Sequence, residues 1–106
     1  MHETAIAVGI IREAERHGRV LELDLEIGEL AHVPAHELVE ALRRMIPWKV
    51  HHTEKPARVR CACGFIGHPT VLERGHDAFL IECPDCKAIP DIVDGTDIKI
   101  VKVRVA

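Results

Sequence analysis

A chain of 106 residues is one ordinary domain, or one small domain with an appendage. Hydrophobic residues make up 47%, but the aromatics are limited to Trp48, Phe65 and Phe79, so the core must be aliphatic. A net charge of −3, no apolar run near the roughly 18 residues of a membrane span, and no signal peptide give the expectation of a soluble, cytoplasmic protein.

In chain order, the first expected element is a helix. Ile6, Ile10 and Ala14 recur at four-residue steps beside Ala7 and Ile11, while Arg12, Glu13 and Arg16 point away. Gly18 is its expected left-handed stop. A strand over Arg19 to Gly28 follows, with Leu21, Leu23, Leu25 and Ile27 on one face and Glu22, Asp24 and Glu26 on the other. Pro34 suits the first turn of a second helix, roughly residues 34 to 46, with Leu38, Leu42 and Met45 on its apolar stripe and Val39 and Ile46 widening it. Pro47 closes it. Trp48 to Glu54 can form a second strand. Ala57 to Arg60 and Ala78 to Glu82 read as short strands leading into a cysteine region. The last strand, Ile98 to Val105, is expected to return to the first sheet. Its adjacent Ile100 and Val101 break the alternation and predict a bulge or burial on both faces.

All four cysteines lie in one stretch, as Cys61-Ala62-Cys63-Gly64 and Cys83-Pro84-Asp85-Cys86. Two paired-cysteine knuckles about 20 residues apart have the form of a structural zinc site, because two tight turns can aim four thiolates at one ion. Gly64 supplies a permissive backbone and Pro84 a stiff one. Only Ala62 separates the first pair, a narrow bite. Disulfides are disfavoured in a reducing cytosol. A segment this small cannot hold itself together by burial alone, and metal binding can supply the deficit.

At the amino terminus, Met1 is retained because aminopeptidases remove it only before small residues. The terminal amine, the His2 imidazole and nearby amide nitrogens can form fused chelate rings, which favour square-planar Ni(II) or Cu(II). Taken alone, His2 reads as a frayed end. But Met1-His2-Glu3 leading directly into an amphipathic helix, an acidic strand ending Ile27-Gly28-Glu29-Leu30, a four-cysteine insertion, and Gly95-Thr96-Asp97-Ile98-Lys99-Ile100 together resemble the HypA/HybF family over essentially the whole chain. That family usually has two residues between the first two cysteines, where this chain has one.

The resemblance implies a nickel metallochaperone serving maturation of nickel-iron hydrogenase, and in some organisms urease. It implies an α+β fold, with two helices packed on a three-stranded sheet and an inserted four-cysteine, zinc-ribbon-like domain. The expected division is 1–55 plus 95–106 for nickel and 56–94 for zinc. It implies transient Ni(II) at Met1, His2 and Glu3, and structural Zn(II) at Cys61, Cys63, Cys83 and Cys86. A GTPase accessory protein and the hydrogenase large subunit are the implied partners, with no nucleic acid or membrane, and a monomer or weak homodimer is expected.

The other histidines read as ordinary surface residues. His32 and His36 sit four apart around a helix start, a spacing that can bind metal, but Pro34 between them upsets a regular helical face; His51 and His52 are consecutive on a strand and face opposite ways; His68 and His76 lie near the cysteines, where one could replace Cys61 or Cys63; His17 ends a helix. Two other functions compete. A zinc-ribbon adaptor for nucleic acid or a protein complex would use the basic stretch from Arg43 to Arg60, against an acidic total and few aromatics. A thiol redox enzyme would use Cys83 and Cys86, but such enzymes carry one active pair. No carboxylate pair, nucleophile with base or phosphate loop points to catalysis.

Overall fold

A computed structural model of the chain describes residues 2–75 and 78–106, His2 by its backbone only. Helix α1 (His2–Glu15) runs through a short turn into strand β1 (Val20–Gly28), and α2 (Ala35–Met45) carries the chain to β2 (Lys49–Lys55). The chain then forms β3 (Arg58–Arg60), β4 (Ile66–Gly67), β5 (Thr70–Arg74), β6 (Phe79–Glu82) and β7 (Asp91–Asp94), and closes with β8 (Ile98–Val105).

Strand β1 is the centre of a mixed sheet ordered β2-β1-β8, parallel to β2 and antiparallel to β8. The last strand therefore does return to the first sheet. Both helices lay their apolar faces on one side of it. Ala7, Ile10 and Ala14 of α1 and Leu38, Val39, Ala41 and Leu42 of α2 enclose Leu23, Leu25, Ile27 and Val50. Full burial of each such leucine or isoleucine contributes about 1.5–3 kcal/mol. Glu22, Asp24 and Glu26 face the uncovered side, paired with Lys49, His51 and Thr53 on β2.

Two bulges adjust the expected pattern. The register of β1 against β8 slips between Asp24 and Leu25, so Val101 is left unopposed and stands 63% exposed. Of the two outcomes expected at Ile100 and Val101, the bulge is the one that occurs. A second slip between Val20 and Glu22 turns Leu21 outward, at 42% exposure, although strict alternation assigns it to the core. Met45 is also outside, at 44%, because α2 ends there and Ile46 takes up extended backbone. Pro34 sits one position earlier than expected, as the N-cap of α2, its carbonyl accepting from the amides of Glu37 and Leu38.

Residues 57–94 build a second, smaller body. A β4-β3-β7 sheet and a β5-β6 hairpin enclose Ala57, Val59 and Ile81, with Phe65, Val71, Phe79 and Ile92 packed around them. Leu30, from the loop after β1, is buried in this second core. The radius of gyration of 15.8 Å exceeds the roughly 13 Å of a compact chain of this length, as two bodies end to end require.

Candidate metal centre

The first knuckle is a turn closed by the Gly64 amide donating to the Cys61 carbonyl at 2.9 Å, with Gly64 at φ +99°. The Cys61 amide donates to the Phe65 carbonyl, locking the return of the chain. The second knuckle closes from the Lys87 amide to the Cys83 carbonyl at 3.0 Å, with Lys87 in the left-handed region at φ +66°. Cys83 donates its own amide to the Ala88 carbonyl.

These turns bring all four cysteines to one point. Their sulfurs lie within 4.8 Å of one another. The close approaches cross between knuckles: Cys61 Sγ to Cys86 Sγ is 3.5 Å and Cys63 Sγ to Cys83 Sγ is 3.7 Å. Four thiolates each about 2.3 Å from one tetrahedral ion stand about 3.8 Å apart, so the residues present fit such an ion. The single residue between Cys61 and Cys63 does not prevent this, because each pairs across the gap. Cys61 and Cys83 are buried, and Cys63 and Cys86 face solvent.

Crowding at one point moves three of the thiols away from their ordinary value, in different directions. Burial pushes Cys83 up, but the amides of Cys86 and Asp85 and the thiols of Cys63 and Cys61 outweigh it and bring it down to about 7. At Cys63 the Phe65 amide lowers the value, yet burial and the other three thiols prevail and take it to about 12. Cys61 is shifted up, the Cys63 amide being outweighed by the Cys86 thiol and burial. A cation at the centre removes this conflict, because thiolates are then its ligands.

The other predicted positions separate. His68 does not join the cysteines; its Nε2 lies 2.8 Å from Glu29 Oε1. His51 and His52 do face opposite ways, His51 toward Glu22 at 3.3 Å on the open side of the sheet. His17 and His32 are exposed. Met1, the His2 side chain and His76 lie outside the described residues. Sequence reasoning missed Glu29 as a bridge: Oε1 accepts the Ala57 amide at 2.8 Å as well as meeting His68, so one carboxylate ties the first body to two points of the second. The available signal was a single acid beside a glycine, Gly28, where the chain leaves a strand.

A family model described as hydrogenase/urease nickel incorporation, metallochaperone, HypA, matches residues 1–105. Two solved structures share the fold. The solution structure of the Ni metallochaperone HypA from Helicobacter pylori is 15% identical, with a TM-score of 0.61 over 97% of this chain and 96% of that one. A solution structure of HypA protein is 17% identical, with a TM-score of 0.60 over 100% of this chain and 97% of that one. No curated protein sequence matches the chain.

Proposed function

We propose, because this chain belongs to the HypA family of hydrogenase/urease nickel-incorporation metallochaperones, that it takes up Ni(II) at Met1, His2 and Glu3. As a member of that family it is a nickel metallochaperone with a four-cysteine metal centre. Nickel is its cargo. The observation that carries the amino-terminal assignment is Met1-His2-Glu3 opening a family match that runs from the first residue. Amine, imidazole and amide nitrogens in adjacent chelate rings select a square-planar ion, and a terminus holds it loosely enough to release it.

The cysteine centre is assigned to Zn(II), as a structural ion. Four thiolates fill all four positions, which leaves none open for substrate or water. We assign residues 1–55 with 95–106 to a nickel-binding domain and 56–94 to a zinc-binding domain, a division supported by the two separate cores. No helix among the described residues is long and apolar enough to cross a membrane, and a cytoplasmic role fits nickel-enzyme maturation. The partners proposed are a GTPase accessory protein and the hydrogenase large subunit, and the chain is proposed to act by delivery without catalysis.

Metal analysis and Ni(II) titration of untagged protein beside His2→Ala tests this reading. The expected result is one zinc per chain in both, with stoichiometric nickel in the parent alone. Nickel affinity should also fall as pH drops through about 6.5, since imidazole binds metal only when neutral. Equal nickel binding in the two proteins overturns the amino-terminal assignment.

A further inference from the structure

Strand β1 has a neighbour on each side, but β2 and β8 end the sheet, and no strand among the described residues pairs with their outer edges. The two edges differ. β2 carries one aliphatic residue, Val50, whereas β8 carries Ile98, Ile100, Val101, Val103 and Val105. A long edge of that composition is a template for a further strand. Its outward backbone groups can be placed. The Gly28 amide donates to the Asp97 carbonyl at 2.8 Å, and Ile98 stands opposite Ile27. Hydrogen-bonded pairs alternate along an antiparallel ladder, so Lys99 bonds inward to Glu26 while the amides and carbonyls of Ile98 and Ile100 point outward.

Helix α1 stands beside this edge without closing it. A groove of about 590 Å³ lies between Ile6, Gly9 and Ile10 of α1 and Ile98 and Ile100 of β8. Another, of about 450 Å³, continues from Ile100 past Val103 to Val105, with His17 beside it. Together they follow the length of the strand. Gly9 keeps the first groove open, being exposed, with nothing within 4 Å of where a Cβ would stand. The two faces of the edge are chemically distinct. Ile98, Ile100 and Val103 oppose Ile27, Leu25 and Leu23 and lie on the helix side, while Lys99, Lys102 and Arg104 oppose Glu26, Asp24 and Glu22 on the uncovered side.

We propose that the outer edge of β8 is a docking site for an extended acidic segment of a client protein, which adds to the sheet as a fourth strand. Main-chain bonds to Ile98 and Ile100 hold it in register, and its alternate side chains are sorted by the two faces. Small β-branched residues enter the groove over Ile6 and Gly9, and carboxylates meet the exposed Lys99 and Lys102. Charge decides against a second copy as the occupant. β8 carries three bases and no acid, so a copy of it laid alongside sets bases against bases. The Ile6 end of the groove is one turn from the start of α1, which brings a client held there to the cargo site proposed above. The docking itself does not rest on that assignment.

The probe is an acetylated and amidated peptide of about eight residues, the length of β8, in which glutamate alternates with valine and threonine. It is titrated into zinc-loaded, full-length protein and followed by amide NMR shifts and hydrogen exchange. The expected result is shift changes along β8 and at Gly9, with slowed exchange at the amides of Ile98 and Ile100, equally in the parent and in His2→Ala. A lysine-for-glutamate peptide, and one methylated on alternate backbone nitrogens, should not bind. Gly9→Leu, which has room to fold and fills the groove, should weaken binding by about tenfold, the scale of such a packing clash. Lys99→Gln/Lys102→Gln should weaken it by about threefold or more, as loss of two exposed ion pairs does. Circular dichroism and zinc content check that both variants are folded. Absence of shifts at millimolar peptide, equal binding of the lysine peptide, or shifts without protection of Ile98 and Ile100 overturns the proposal. So does a concentration-dependent dimer that protects the same amides without peptide, which identifies the occupant as a second copy.

Discussion

Gly28 and Gly95 cross so closely that a Cβ on Gly28 would stand 2.2 Å from the Gly95 carbonyl oxygen. At the same crossing, a Cβ on Gly95 would meet the Ala57 Cα at 2.6 Å, and Gly95 has φ +98°. Three passages of the chain between the two bodies are thus packed backbone to backbone. Gly28→Ala and Gly95→Ala should each destabilise the protein by about 3 kcal/mol or more, since neither the collision nor the positive φ can be relieved by a side chain. Gly9 is the contrast. Inside α1 its Cβ would meet nothing within 4 Å, so Gly9→Ala should stabilise by about 0.5–1 kcal/mol. Urea melts of the three variants check both signs.

Leu30 leaves the first body's chain but is 2% exposed within the core of the second. Leu30→Ala should cost about 2–5 kcal/mol, the usual range for a cavity of this size. The loss should be local. Hydrogen exchange is expected to accelerate in β3 and β6 while α1 and α2 keep their protection. Uniform acceleration through both bodies would show instead that they unfold as one unit.

The ion pair of Lys55 Nζ and Asp94 Oδ2, at 2.8 Å, spans the same junction. Hydrogen bonding to Lys55 and to the Gly95 amide holds the Asp94 carboxyl below its ordinary 3.8, and the Asp94 carboxylate holds the Lys55 ammonium above 10.5. Asp94, lowered on folding, adds stability that is complete above its unfolded value and is lost as pH falls through its folded one. Lys55, raised on folding, adds stability that is complete below its unfolded value and is lost as pH rises through its folded one. The pair is therefore fully effective between the two ordinary values, 3.8 and 10.5. In Lys55→Met, the Asp94 carboxyl followed by NMR should titrate at higher pH than in the parent, but still below a free aspartate because the Gly95 amide remains.

How far these features were legible depends on their periodicity. β1 alternates over enough residues to declare its buried face, and the four-residue spacing of Ile6, Ile10 and Ala14 declares α1. Leu21 and Met45 departed from their stripes because a bulge and a helix end, neither written in local hydropathy, moved them. β4, of two residues, β5, interrupted by a bulge at Leu72, and β7 were not foreseen. The cysteine centre was legible because ligand spacing is covalent information. The junction was not: Glu29, Ala57 and His68 are far apart in sequence and are joined only once the second body has folded against the first.

Removing the metal should separate the two bodies in stability. The second body buries Val59, Ile81 and few other large residues, and an ion bound by four thiolates supplies on the order of 10 kcal/mol to such small folds. Stripping the metal, or making Cys83→Ser at the buried ligand, should collapse the amide dispersion of residues 57–94 in NMR spectra. The signals of α1, β1 and α2, which rest on their own core, should persist. Metal uptake should also release protons, because the thiols must ionise to become ligands. Metal affinity, measured against a competing chelator, should therefore decline steadily as the solution is acidified. Retention of dispersed signals from residues 57–94 after complete metal removal would show that this body is held by its aliphatic core alone.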